Sequence, residues 1–187
     1  MAADHELLDR LRAGDQDAFD MIFREHYAPL TRLAEGLVRR RAEAEEIVQD
    51  VLLELWRRRG TLVLEESLRA YLFRATRNRA LNVLRHDRVQ QRSEPYLATR
   101  ASTEPTALRE VLEDEIDAAL GVALDSLPGR CREVFELSRR QGLRYAEIAN
   151  VLGISVKTVE AQMGKALRIL RQEMAPWLPK GGTPDPP

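Results

Sequence analysis

The chain has 187 residues, 44% hydrophobic, 5% aromatic and 32% charged, with 29 Lys plus Arg against 30 Asp plus Glu. That length allows a buried core in one or two domains, and no stretch approaches the roughly 18 to 20 consecutive apolar residues of a membrane span. The net charge of −1 is a sum of opposed blocks: residues 1–68 carry −5, 69–92 carry +6, 93–127 carry −6 and 128–172 carry +5.

Glycine and proline are sparse before the tail, and no alternating run of β-branched residues reads as a strand, so the predicted fold class is all-α, with two small helical domains joined by a flexible linker. Residues 15–40 offer one or two helices, with Phe19, Ile22, Phe23, Leu30, Leu33 and Leu37 as core candidates. The clearest helix spans 42–59, where Ala44, Ile47, Val48, Val51, Leu52, Leu55 and Trp56 recur at helical spacing, and Gly60 and Thr61 offer a stop. Ser67 caps a second long helix to about His86, with Leu68, Tyr71, Leu72, Ala75, Val83 and Leu84 available for its buried side. Its basic side chains, Arg74, Arg77, Arg85 and Arg88, need not share that burial. These helices define a first domain over 15–90. Residues 91–110 lose the apolar period and read as a linker, and a second domain follows over 111–172. Its last portion divides into helices at 130–140, 145–152 and 155–172, and the Pro- and Gly-rich tail 173–187 is expected to be disordered.

Several chemistries find no support. The single Cys131 cannot form an internal disulfide or a zinc cluster, and it lies in an Arg-rich run without an obvious His partner for thiol catalysis. His5, His26 and His86 are scattered, with no metal-ligand spacing, and no glycine-rich phosphate loop is present. The acid pairs Glu45-Glu46 and Glu65-Glu66 sit in helical charge runs, whose usual reading is a solvated face. No catalytic site and no cofactor is expected. The N-terminus has early acids and no apolar signal core, so a cytoplasmic protein is expected.

Two basic blocks separated by an acidic one point to two contacts with a polyanion. The second block contains LRYAEIANVLGISVKTVEAQMGKALRILR, a helix-turn-helix pattern. Tyr145, Ile148, Ala149 and Leu152 form one stripe, Gly153 suits a positive φ, and Ser155 caps a helix whose buried positions are Val159, Met163, Ala166, Leu167 and Leu170. Lys157, Thr158, Glu160, Ala161, Gln162 and Lys165 point away from that stripe. In a major groove Gln162 can pair with adenine through both ends of its amide, and Lys157, Lys165 and Arg168 can meet phosphate. An ordinary helical hairpin is the rival reading of this segment.

The run from Ala44 to Trp56, the run from Leu68 to Asn82, and Leu127-Pro128 through the helix-turn-helix together resemble bacterial sigma factors of the extracytoplasmic-function group. The resemblance covers roughly residues 15–172. It implies core RNA polymerase as partner, through its beta-prime and beta subunits. The acidic helix would meet a coiled coil of the largest subunit with Glu46, Gln49, Asp50 and Glu54, which fall off the core stripe. It further implies that the next helix receives the melted minus-ten strand of promoter DNA, with Arg74, Arg77, Asn78, Asn82 and Arg85 as contacts. Arg79 and Arg88 add charge there, Phe73 offers a ring, and Tyr71 suits either the core or a stacking platform. The last helix would read the minus-thirty-five duplex with Lys157, Thr158, Glu160, Ala161, Gln162, Lys165 and Arg168. Here Glu160 stands where the family often has a basic residue, Gly164 interrupts the helix, and Arg144 replaces a usual Ser or Thr cap. An anti-sigma factor is also implied. The alternative function from another class is a stand-alone helix-turn-helix regulator binding a palindrome without polymerase.

Overall fold

The computed structural model describes residues 2–64, 66–91 and 111–177, with backbone alone at 2–5, 88–91 and 111–118. Among the described residues there are eight helices and no strand: α1 (Ala2–Arg12), α2 (Gln16–Val38), α3 (Arg41–Arg58), α4 (Leu68–Gln91), α5 (Val111–Ser126), α6 (Gly129–Arg139), α7 (Tyr145–Leu152) and α8 (Val156–Glu173). None is long and apolar enough to cross a membrane. The predicted linker lies almost wholly outside the described residues, as does the tail beyond 177.

The chain forms two compact units, and residues 143–154, which carry α7, cluster with the first. In that first unit α2 packs against α1, α3 and α4, and α7 packs on α4. The α3 stripe is buried as its periodicity predicts, from Ala44 through Leu55, with Trp56 half-buried against Phe19 at 5.2 Å between ring centroids. One helix, α2, occupies the 15–40 region despite Pro29, because Asp15 caps it: its carboxylate accepts from the amides of Asp17 at 2.9 Å and Ala18 at 3.3 Å. It buries Ala18, Ile22, His26, Leu30, Thr31, Ala34 and Val38. Phe23, expected in the core, is 37% exposed and stacks on Tyr27 instead. Helix α1 precedes the expected start of the domain and belongs to it, since Leu8 and Leu11 are buried.

Helix α4 runs past His86 to Gln91. Its core face is Leu68, Ala70, Leu72, Phe73, Thr76 and Ala80, while Tyr71, Ala75, Val83 and Leu84 are half-buried. Phe73 is therefore a core side chain and not a ring open to a nucleobase.

In the second unit α8 packs on α5 and α6. Ala123, Leu127, Cys131, Ala166 and Leu170 form a buried cluster, extended by Leu124, Phe135, Ile169 and Met174. Leu167, expected to be buried, is 39% exposed, and Ile169 takes a place at the core edge.

Candidate nucleic-acid and protein-binding surfaces

Two faces on the first unit carry the charged residues singled out by sequence. On α3, Glu46 and Gln49 are exposed, and Asp50 and Glu54 are half-exposed. Glu54 pairs with Arg58 one turn on, an arrangement that steadies the helix end and leaves the carboxylate in solvent. Leu53 lies on the same side at 46% exposure. Beyond it Arg59 lies 4.2 Å from the centroid of the Trp56 ring and donates to the Trp56 carbonyl at 2.7 Å, closing the helix end.

On α4, Asn78 and Asn82 are exposed, Arg77 is half-buried, and Arg74, Arg79 and Arg85 are among the engaged arginines. Arg74 pairs with Glu66 at 2.5 Å, Arg85 donates to the Asn82 amide oxygen at 3.1 Å, and Arg79 pairs with Asp50 of α3. Asp87, near the end of the same helix, pairs with Arg40 at 2.7 Å. Arg79, Asn82, Val83, His86 and Asp87 line a shallow open cleft of about 440 Å³. Two arginines of the basic block thus meet carboxylates outside it, Arg74 on Glu66 and Arg79 on Asp50 twenty-nine residues away, while the block's own acid, Asp87, is taken by Arg40.

The start of α4 carries a further polar joint. Ser67 caps the helix, accepting from the Ala70 amide at 3.1 Å, and donates to Glu147 of α7 at 2.9 Å. The other Glu147 oxygen accepts from the Arg144 amide at 2.9 Å. An arginine offers no acceptor to the helix amides, so Glu147 supplies the returning half of a capping box where a Ser or Thr is absent. Helix α7 then ends at Gly153, whose φ of +64° is the left-handed conformation, with the Ile154 amide donating to the Ala149 carbonyl at 3.0 Å.

On α8 the Ser155 hydroxyl accepts from the Thr158 amide at 3.1 Å and sits 2.8 Å from its hydroxyl. Lys157, Glu160, Ala161, Gly164, Lys165 and Arg168 are all exposed and fall on one stripe opposite Val159, Met163, Ala166 and Leu170. Thr158 and Gln162 flank that stripe and are half-buried. Gln162 is engaged inward, its amide oxygen accepting from the Cys131 thiol at 3.0 Å. Pairing with adenine needs both ends of a glutamine amide, so Gln162 in this conformation offers one end only. The sequence reading missed this role for Cys131, because its partner stands thirty-one residues away. The thiol is fully buried, which is the setting of an inert cysteine.

Two parts of the chain match known families. Residues 22–89 match the family described as Sigma-70 region 2, and residues 117–170 match Sigma-70, region 4. The ECF RNA polymerase sigma factor SigM of Mycobacterium tuberculosis strain H37Rv is 31% identical over 88% of this chain and 81% of its own length. RNA polymerase sigma factor CnrH of Cupriavidus metallidurans is 29% identical over 88% of this chain and 90% of its own. The probable RNA polymerase sigma factor RfaY of Xanthomonas campestris is 28% identical over 91% of this chain, which spans 44% of RfaY. Among solved structures, CnrH in complex with the cytosolic domain of CnrY superposes with a TM-score of 0.64 at 25% identity, covering 93% of this chain and 98% of that one. The fold is that of a sigma-70-type transcription factor. The chain belongs to the ECF RNA polymerase sigma factors, which direct polymerase to promoters. A stand-alone helix-turn-helix regulator does not account for the region 2 match, and that alternative is not favoured.

Proposed function

We propose that the region 2 part, residues 15–90, binds core RNA polymerase through Glu46, Gln49, Asp50 and Glu54 of α3, and receives the melted minus-ten strand on Arg74, Arg77, Asn78, Asn82 and Arg85 of α4. The observation that carries this reading is that α3 and α4 pack together in one unit and present an acidic face and an arginine and amide face side by side. A carboxylate face suits a basic coiled coil, and exposed amides with guanidinium groups suit unstacked bases and their phosphates. The region 4 part, residues 111–172, reads the minus-thirty-five duplex with the α8 stripe of Lys157, Glu160, Ala161, Lys165 and Arg168, with Thr158 and Gln162 at its edges. Residues 91–110 link the two parts. The protein has no catalysis of its own and works in the cytoplasm, where polymerase is.

The carboxylate partners of Arg74 and Arg79 support weak DNA binding by the free factor, since each offsets the positive charge a phosphate would meet. Polymerase then supplies affinity by holding both DNA-binding parts at one promoter. An anti-sigma partner is part of the same reading: a sigma factor RpoE of Bartonella quintana, 24% identical with a TM-score of 0.63, was crystallised with the anti-sigma factor NepR.

Reconstitution tests the proposal. Added to core polymerase, the purified protein should give promoter-dependent transcription, and Asp50→Arg should abolish its co-elution with core. Unchanged co-elution of that variant would overturn the assignment of α3.

A further inference from the structure

We propose that Arg79 is a further strand-contacting residue of α4, and that Asp50 holds it away from nucleic acid until polymerase takes the Asp50 carboxylate. The proposal rests on the reading of α3 and α4 given above and adds a coupling between the two faces.

The partners of Arg74, Arg79 and Arg85 on α4 differ in kind. Arg74 holds Glu66, whose side chain is only 8% exposed, so the pair fixes the segment ahead of α4. Arg85 holds Asn82, a neutral amide three residues back on the same helix. Of these three pairs, the Arg79 pair alone joins the two faces, because its carboxylate belongs to the acidic side of α3. Both members are about half exposed, at 49% and 41%, so the pair exchanges readily with other partners.

The location of Arg79 gives the exchange a direction. Its side chain lines the cleft that also holds Asn82 and His86, so a strand laid on the Asn82 amide brings phosphates past the guanidinium. In the free protein that guanidinium is neutralised, and an approaching strand also meets the repulsion of Asp50. When a basic polymerase surface pairs with Asp50, the guanidinium is released on the side where the strand arrives. Each ligand removes the competitor of the other, so the two binding events reinforce one another, and the effect is reciprocal by linkage. This local device gives the proposed need for polymerase a physical cause.

The test measures the isolated full-length protein against fluorescein-labelled oligodeoxythymidylate by anisotropy across a salt series. Asp50→Ala should tighten binding by about two- to five-fold, the worth of one exposed ion pair. The slope of log affinity against log salt should steepen by about 0.7, the signature of one added phosphate contact on a single strand. Glu45→Ala removes the same charge from the same helix, but Glu45 pairs with Arg41, so that variant should leave the slope unchanged. Asp50→Ala combined with Arg79→Ala should lose the gain. An equal gain in Glu45→Ala, a gain that survives loss of Arg79, or no gain in Asp50→Ala would each overturn the coupling. Co-elution of Asp50→Ala with core polymerase is measured separately. Lost co-elution without an Arg79-dependent gain refutes the coupling and leaves the polymerase assignment standing, whereas normal co-elution refutes both the role of Asp50 and the coupling.

Discussion

The Cys131 thiol of α6 donates to the Gln162 amide oxygen of α8 at 3.0 Å, joining the core of the second unit to the edge of its exposed stripe. Removing the sulfur deletes a fully buried apolar atom and one hydrogen bond. Cys131→Ala should therefore lower stability by about 1–2 kcal/mol, from roughly 0.8 kcal/mol of transfer and a comparable bond. Urea unfolding measures the loss. In the native protein, thiol reagents should label Cys131 far more slowly than in denaturant, and labelling at equal rates would contradict the burial.

Gly164 lies inside α8, where an added Cβ would meet nothing within 4 Å, and its φ is not positive. The folded chain gains nothing from glycine there, so Gly164→Ala should stabilise the free protein by about 0.5–1 kcal/mol. Because Gly164 is on the exposed stripe with Ala161 and Lys165, the same variant tests whether duplex approaches the helix backbone at this point. A more stable protein with weakened minus-thirty-five binding in the holoenzyme marks Gly164 as a site of close DNA approach. Gly153→Ala should behave oppositely, losing about 1 kcal/mol because φ is +64°.

Arg39 ends α2 in the left-handed region with φ 59°, and its amide donates to the Glu35 carbonyl at 2.8 Å. An arginine there carries a steric cost that glycine avoids. Arg39→Gly should raise stability by about 1 kcal/mol in urea unfolding. A loss would show that the arginine side chain contributes more than the backbone costs.

The elements with a full apolar stripe were legible from spacing alone: α3 buries its stripe through Leu55, and α8 buries Val159, Met163, Ala166 and Leu170. Helix α1 was not, because Leu8 and Leu11 acquire a core only once α2 lies against them. Phe73 was misread for a related reason. A ring flanked by arginines has the same text whether it faces solvent or core, and only the packing of α4 decides. The candidate charges were legible as residues and not as pairs. Spacing identifies partners one turn apart, such as Arg58 with Glu54, but Asp50 with Arg79 and Cys131 with Gln162 depend on how whole helices pack.

Asp15 supplies the pH dependence that the structure specifies. Its carboxylate is held below the ordinary value by the hydrogen bond from Arg10 and the amides of Ala18 and Asp17, together with the charge of Arg10. The Arg10 guanidinium is correspondingly raised, mainly by the hydrogen bond to Asp15. A depressed folded-state pKa means the unfolded chain takes up the proton first as pH falls. The stabilisation is therefore complete above the unfolded carboxylate value of about 3.9 and is lost as pH drops through the lower folded value. Asp15→Asn keeps an acceptor for the α2 amides and removes the charge. Its melting temperature should fall below that of the parent at neutral pH, and the gap should narrow as pH is lowered through the acid range. Thermal melts of both proteins from neutral to acid pH check this, and a gap that stays constant would show that the charge on Asp15 contributes nothing beyond the cap.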